Sequence, residues 1–205
     1  MKLYGSPGSP FARKVRIVLA EKNIACEYIV ARGGAPGSPV PQFNSLAKVP
    51  TLERDDGRGL YDSVVIVEYL DALGGGPKLI PDDFESRIEV KRWEALGDGI
   101  TEAAVNINHE YREPADKRRS PEWFARQQLK IDRGLAVMER DLGTNTYCFG
   151  NRYTLADIAA GYALGYIDFA MPEYEWRSRH PALAKLADRL AQRTAFSTTA
   201  HYKLA

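Results

Sequence analysis

Strand and helix signals alternate over the first third of this chain and then the strand signals stop. That change of pattern limits the fold more than any single motif does. Short β-prone runs, Lys2-Leu3-Tyr4, Ala25-Cys26-Glu27-Tyr28-Ile29-Val30, Thr51-Leu52-Glu53-Arg54 and Gly59-Leu60-Tyr61, are interleaved with two helical segments before Gly74. The first helix is predicted from Pro10 to Lys22, with Phe11, Val15, Val18 and Leu19 on its apolar face. Pro10 suits the first helical position and Ser9 the N-cap. The second opens at Ser63 into Val64-Val65-Ile66-Val67-Glu68-Tyr69-Leu70. The order β-α-β, an irregular stretch, then β-β-α, fits a small sheet with helices on both faces.

Gly74-Gly75-Gly76-Pro77 ends that pattern, and the segment to about Phe84 reads as a connector. Beyond it Ile88, Trp93, Leu96, Ile100, Ala103, Ala104 and Ile107 recur at helical spacing. A second long pattern runs from Trp123 to Leu142, and Pro114 to Ser120 turns between the two. Two long helices side by side imply an all-α second domain. Thr154-Leu155-Ala156-Asp157 before an apolar run is a near capping box, which gives Asp157 a structural task rather than a catalytic one. A last amphipathic helix is expected from Pro181 to about Ala195, with a loosely held tail beyond Phe196. The expected division is therefore residues 1–75, a linker over 76–85, and a helical domain over 86–205.

Composition excludes several function classes. Lys plus Arg number 28 and Asp plus Glu 27, so no global field favours nucleic acid or an anionic membrane. There is no apolar run of membrane-spanning length, and Met1-Lys2-Leu3-Tyr4 opens directly into a strand, so the expected location is the cytoplasm. Cys26 and Cys148 form no Cys-x-x-Cys pair, and His109, His180 and His201 are scattered without ligand spacing, so no metal is implied. Gly33-Gly34-Ala35-Pro36-Gly37-Ser38-Pro39 reads as a mobile surface loop. It lacks the Gly-Lys-Ser/Thr ending of a phosphate loop.

The stretch Lys48-Val49-Pro50-Thr51-Leu52, followed at short range by Leu60-Tyr61-Asp62-Ser63, is the chemically suggestive part. Asp55-Asp56-Gly57-Arg58-Gly59 forms a turn that folds the two strands into a hairpin and brings Asp62-Ser63 back beside Val49. If Val49-Pro50 is cis, Val49 turns its N–H and C=O outward to pair with an extended peptide. Ser63 at a helix start offers N–H groups to a carboxylate. Together they describe a small-peptide site.

Read with Ser9-Pro10-Phe11, Asn44-Ser45-Leu46-Ala47-Lys48-Val49-Pro50 and Leu79-Ile80-Pro81-Asp82-Asp83, these residues resemble the cytosolic glutathione S-transferase family over the whole chain. The likeness is nearest to the bacterial branch that places serine beside the thiol. It implies an α/β N-terminal thioredoxin-like domain of order βαβαββα, an all-α C-terminal domain, glutathione as cosubstrate and a homodimer. It further implies that Ser9 donates to the glutathione sulfur, Val49 and Pro50 pair with the peptide, and Asp62 with Ser63 anchor the γ-glutamyl carboxylate. Lys48 is expected to approach the glycyl carboxylate. A second-substrate pocket between the first-domain loops and the start of the helical domain has Ile107, Tyr111, Tyr162, Tyr166 and Phe169 as candidates by position.

Each of these has a plainer structural role: Ser9 and Ser63 as N-caps, Lys48 as a solvated lysine, the aromatic stripe as core. Tyr4 reads as core and Ser6 as a loop-shaping residue. Sulfur transfer to small, largely apolar electrophiles is the expected activity. Glutathione-dependent isomerisation or dehalogenation, and a non-catalytic protein-binding module, are the alternatives. Without a cysteine where Ser9 stands, reductase chemistry is disfavoured.

Overall fold

A computed structural model of the chain describes residues 1–202. These group into two units, one comprising Met1–Ile80 with the segment from Gln192 onward, the other Pro81–Ala191. The first unit contains β1 (Lys2–Gly5), α1 (Pro10–Glu21), β2 (Glu27–Val30), β3 (Thr51–Glu53), β4 (Gly59–Leu60) and α2 (Ser63–Leu73). Its sheet has the order β2-β1-β3-β4, with β1 parallel to β2 and antiparallel to β3. Leu3 and Leu52 on the sheet, Val15 and Val18 on α1, and Ile66 and Leu70 on α2 have no exposed surface. Each contributes about 1.5–3 kcal/mol of burial.

The second unit holds α3 (Phe84–Glu110), α4 (Pro121–Leu142), α5 (Leu155–Ala170), α6 (Trp176–Arg179) and α7 (Pro181–Ala191). Three of its helix starts are capped by side chains, the one at Thr154 as expected. Asp83 accepts from the Ser86 N–H at 3.0 Å, Ser120 from Trp123 at 3.3 Å, and Thr154 with Asp157 completes the capping box. The buried Asp157 carboxylate accepts from the backbone N–H groups of Cys148 and Thr154, both at 2.8 Å, which bears out its structural task. α3 packs on both α4 and α5 around Trp93, Ile100, Ala104, Ile131, Leu135, Met138, Ile158 and Leu164. Among the described residues no helix is long and apolar enough to cross a membrane.

Four expectations need correction. Between β2 and β3, where the order βαβαββα carries a helix, the chain makes a single 3-10 turn at Val40–Gln42; Pro39 and Pro41 withhold the N–H groups a longer helix requires. The latter half of the connector is docked, because Asp71 accepts from the N–H groups of Leu79 at 2.9 Å and Ile80 at 3.0 Å while pairing with Lys22 at 3.0 Å. The last amphipathic helix ends at Ala191, and a short separate helix, α8 (Thr194–Ser197), follows. As far as Tyr202 the tail is held rather than loose: Arg193 makes a two-pronged ion pair with Glu21 of α1 at 2.7 and 2.8 Å, Phe196 and Thr199 are buried, and Arg16 donates to the Thr198 and Thr199 carbonyls, while positions 203–205 lie outside the described residues. It therefore belongs with the first unit and not with the helical domain assigned to 86–205.

Asp71 and Lys22 are 6% and 2% exposed, so removing one partner leaves an uncompensated buried charge. Asp71→Ala is expected to cost about 3–5 kcal/mol. It should also abolish hydrogen-exchange protection at the Leu79 and Ile80 amides, which exchange measured by NMR would check.

Candidate active site

Strand register alone assembles the predicted residues. Tyr4 near the end of β1 pairs with Thr51 at the start of β3, and Leu52 pairs with Leu60 at the end of β4. The segments Ser6–Ser9, Lys48–Pro50 and Asp62–Ser63, which leave or enter those positions, therefore lie along one edge of the sheet. Edges of this kind, outside the carboxyl ends of strands, are where ligands bind in open α/β sheets.

At the first position, residues 6–9 form a turn closed by the Ser9 N–H donating to the Ser6 carbonyl at 2.9 Å. Ser9 is the N-cap of α1, and its Oγ accepts from the Ala12 N–H at 3.2 Å. That bond uses a lone pair and leaves the hydroxyl proton for another acceptor. Capping and donation to a sulfur are thus compatible in one side chain. Tyr4, the neighbouring phenol, donates to Glu53 at 2.6 Å, and burial together with that carboxylate pushes its pKa up to about 12. Its proton is committed inside the unit, as a core reading requires.

The second position is a loop held from beneath by buried polar groups. Asn44 Nδ2 donates to the Lys48 carbonyl at 3.1 Å and to Thr51 Oγ1 at 3.0 Å, while its Oδ1 accepts from the Leu46 N–H at 3.0 Å. Thr51 Oγ1 donates to the same Lys48 carbonyl at 2.8 Å. Asn44 and Thr51 are 2% and 0% exposed, and the bond between them is shielded from water. Two glycines let other backbone approach the loop: a Cβ on Gly33 would lie 2.0 Å from the Ala47 carbonyl oxygen, and one on Gly59 2.0 Å from that of Phe43. Phe43 stacks on Tyr4 with ring centroids 5.4 Å apart. Val49 packs on the small cluster of Tyr4, Ala31 and Val40. The Val49-Pro50 bond is cis, and the N–H and C=O of Val49 enter no hydrogen bond among the described residues. Lys48 is exposed and takes no ion pair among them.

The third position departs from the reading of Ser63 as an N-cap. Asp62 is the cap, its carboxylate accepting from the Val64 N–H at 3.1 Å, and Ser63 is the first residue of α2. Ser63 is 3% exposed, and its hydroxyl makes no hydrogen bond among the described residues. The helix end therefore consumes the Asp62 carboxylate and leaves the Ser63 hydroxyl unused.

The five residues proposed for a second substrate behave differently from one another. Tyr162 has no exposed surface and its hydroxyl donates to Asp98. Ile107 is 3% and Tyr166 2% exposed, the latter accepting from Asn108 Nδ2 at 3.1 Å. Phe169 is half-buried against the Tyr166 ring, and Tyr111 is 60% exposed with its ring 5.1 Å from Phe124.

Asn44 stands in the sequence motif without an assigned task, and Thr51, Glu53, Gly33 and Gly59 are further supports of the edge that the sequence-based assignment lacks. A polar residue flanked by apolar ones, Pro50 and Leu52, was the available signal for Thr51. Among the described residues no cluster of His, Cys, Asp or Glu could hold a metal ion.

Residues 3–78 match the glutathione S-transferase N-terminal domain and residues 121–192 the glutathione S-transferase C-terminal domain. An uncharacterized GST-like protein of Escherichia coli K12, YibF, is 37% identical over 97% of this chain and 98% of its own length. A glutathione S-transferase from Methylobacillus flagellatus, crystallised with glutathione bound, superposes with a TM-score of 0.94 at 41% identity, covering 98% of this chain and 99% of that one. One from Methylobacterium radiotolerans, in complex with glutathione sulfonate, gives 0.93 at 39% identity over 100% and 96% of the two chains. The chain belongs to the glutathione S-transferase family.

Proposed function

We propose that the chain is a glutathione transferase that activates the thiol of bound glutathione for attack on small, largely apolar electrophiles. The observation that carries this reading is the convergence of three partly unused groups on one sheet edge: the Ser9 hydroxyl proton, the Val49 backbone pair and the Ser63 hydroxyl. From β1 to β4 is two strand spacings, about 9–10 Å, which is about the length of three extended residues. A γ-glutamyl-cysteinyl-glycine peptide lying across that edge has its carboxylate end at α2, its backbone against Val49 and its sulfur toward Ser9. Lys48 supplies a charge for the glycyl carboxylate.

Chemistry at the sulfur depends on the thiolate. A free thiol has a pKa of about 8.5, so at neutral pH only a few per cent is ionised. A hydroxyl donating to the charged form at a helix N-terminus stabilises it by about 1.5–3 kcal/mol, which lowers the pKa by roughly one to two units. A module that binds glutathione without reacting would leave the thiol at its ordinary midpoint. A homodimer is part of the proposal, supported by the exposed apolar side chains Val65 and Leu73 on α2 and Phe84 and Ile88 on α3.

Ser63→Ala is expected to weaken glutathione binding about ten- to a hundredfold, the loss of a hydrogen bond to a carboxylate, with little change in kcat. Calorimetric titration checks it, and an unchanged Kd would put the carboxylate elsewhere. Ser9→Ala should lower turnover at about pH 6.5 by roughly ten- to a hundredfold and move the thiolate midpoint of bound glutathione upward, while Kd stays nearly unchanged. The substitution also removes the cap on Ala12, at about 1 kcal/mol of stability, so thiolate absorbance is the deciding readout rather than activity alone. Sedimentation should give a particle of about twice the 22.9 kDa chain mass; a monomer at micromolar concentration would remove the dimer from the proposal.

A further inference from the structure

The C-terminal segment of the first unit takes no part in the reading above, yet its described residues reach the turn that carries Ser9. Arg13 and Arg16, one turn apart on α1, both donate to its backbone. Arg13 reaches the Phe196 carbonyl at 3.3 Å, and Arg16 reaches those of Thr198 and Thr199, each at 3.4 Å. Thr199 is 5% exposed and its hydroxyl donates to the Ala195 carbonyl at 2.6 Å. With Arg193 paired to Glu21, the segment is fixed along α1 from the last residue of that helix back toward its first turn.

The segment then reaches Ser6–Ser9. His201 Nδ1 lies 3.3 Å from the carbonyl oxygen of the buried Pro7, and a Cβ on Gly8 would lie 3.8 Å from the Tyr202 carbonyl oxygen. A carbonyl only accepts, so the ring carries a proton on Nδ1 and the tautomer is set. Burial, with the charges of Arg13 and Arg16, pushes the imidazole pKa down to about 4, so near neutrality the ring is the uncharged single donor.

We propose that His201 is a positioning residue for the thiol-activating hydroxyl: by donating to the Pro7 carbonyl it holds the Ser6–Ser9 turn, and through it the direction in which Ser9 presents its proton. The inference rests on the assignment of Ser9 to thiol activation. A hydroxyl that accepts from Ala12 and donates to a sulfur has a narrow range of workable orientations, and a turn free to rock carries it out of that range.

The test uses the full chain, glutathione and an activated aryl halide, and reads three quantities: the thiolate midpoint of bound glutathione by absorbance, its Kd by calorimetry, and kcat. His201→Ala should raise the midpoint part of the way to that of Ser9→Ala and lower kcat roughly three- to tenfold, with Kd held within about twofold. His201→Asn, whose side-chain amide can donate to the same carbonyl, should recover most of the loss, whereas His201→Phe, which keeps a ring without the donor, should not. In the Ser9→Ala background His201→Ala should add nothing. An unshifted midpoint in His201→Ala, a wild-type His201→Phe, or an equal further loss in the Ser9→Ala background overturns the proposal. If Ser9→Ala shifts the midpoint and the His201 variants do not, only the role of His201 falls. If Ser9→Ala itself leaves the midpoint unmoved, the assignment of Ser9 falls and that of His201 with it. Should His201→Ala fail to fold, the comparison of Asn with Phe decides.

Discussion

β1 forms ladders on both of its edges, and the site depends on the sense of those two pairings. Pairing parallel to β2 requires a crossover, which α1 supplies. Pairing antiparallel to β3 reverses the chain, so that β3 begins where β1 ends. The hairpin to β4 reverses it again. Loops separated by tens of residues in sequence consequently share one edge of the sheet. Ser9, Val49 and Ser63 are thus brought together by hydrogen-bond register before any of their side chains is considered.

Holding that edge in shape falls to buried polar groups as well as to the packing of Phe43 and Val49 on Tyr4. A loop between β2 and β3 with one 3-10 turn has few repeating hydrogen bonds of its own. Asn44 and Thr51, themselves buried, supply them, tying the Lys48 carbonyl from two directions. Gly33 and Gly59 keep side chains out of the space through which the loop backbone is approached. Among the described residues the Val49 amide and carbonyl are left there without internal partners. Lys22 and Asp71 act in the same manner at the far end of α2, where Asp71 holds Leu79 and Ile80 against the unit. Polar groups placed this way are costly if half-satisfied, which is why each of these makes two or three bonds.

Ser9 shows how one side chain can cap a helix and still have a proton to give. Its lone pair caps α1 and its proton is left over, so the structural and catalytic readings do not compete. Tyr4 meets the opposite condition. Glu53 accepts its proton and burial opposes its ionisation, so the phenol nearest in sequence is unsuited to a sulfur. The division between Asp62 and Ser63 follows similar logic: the helix end needs one oxygen and takes it from Asp62.

Much of this was written locally. Ser9-Pro10 and Thr154 to Asp157 announce helix starts because caps and capping boxes are made by residues within one turn of each other, and the Asp55 to Gly59 turn announces a hairpin for the same reason. Hydrophobic period separated the α/β unit from the helical one. What the sequence could not determine were the partners. Period shows that a helix has an apolar face but not what covers it, so Tyr162, a pocket candidate by position, is a fully buried residue whose hydroxyl is satisfied by Asp98. Pro-rich spacing between β2 and β3 suppressed a helix that the family pattern led one to expect. The return of the tail along α1 was invisible, because Arg13, Arg16 and Glu21 meet partners more than 170 residues away, and nothing local to Phe196 or His201 marks a segment that is bound. Local chemistry fixes where elements begin and end, whereas long-range register and burial decide which of their groups remain free to meet a ligand.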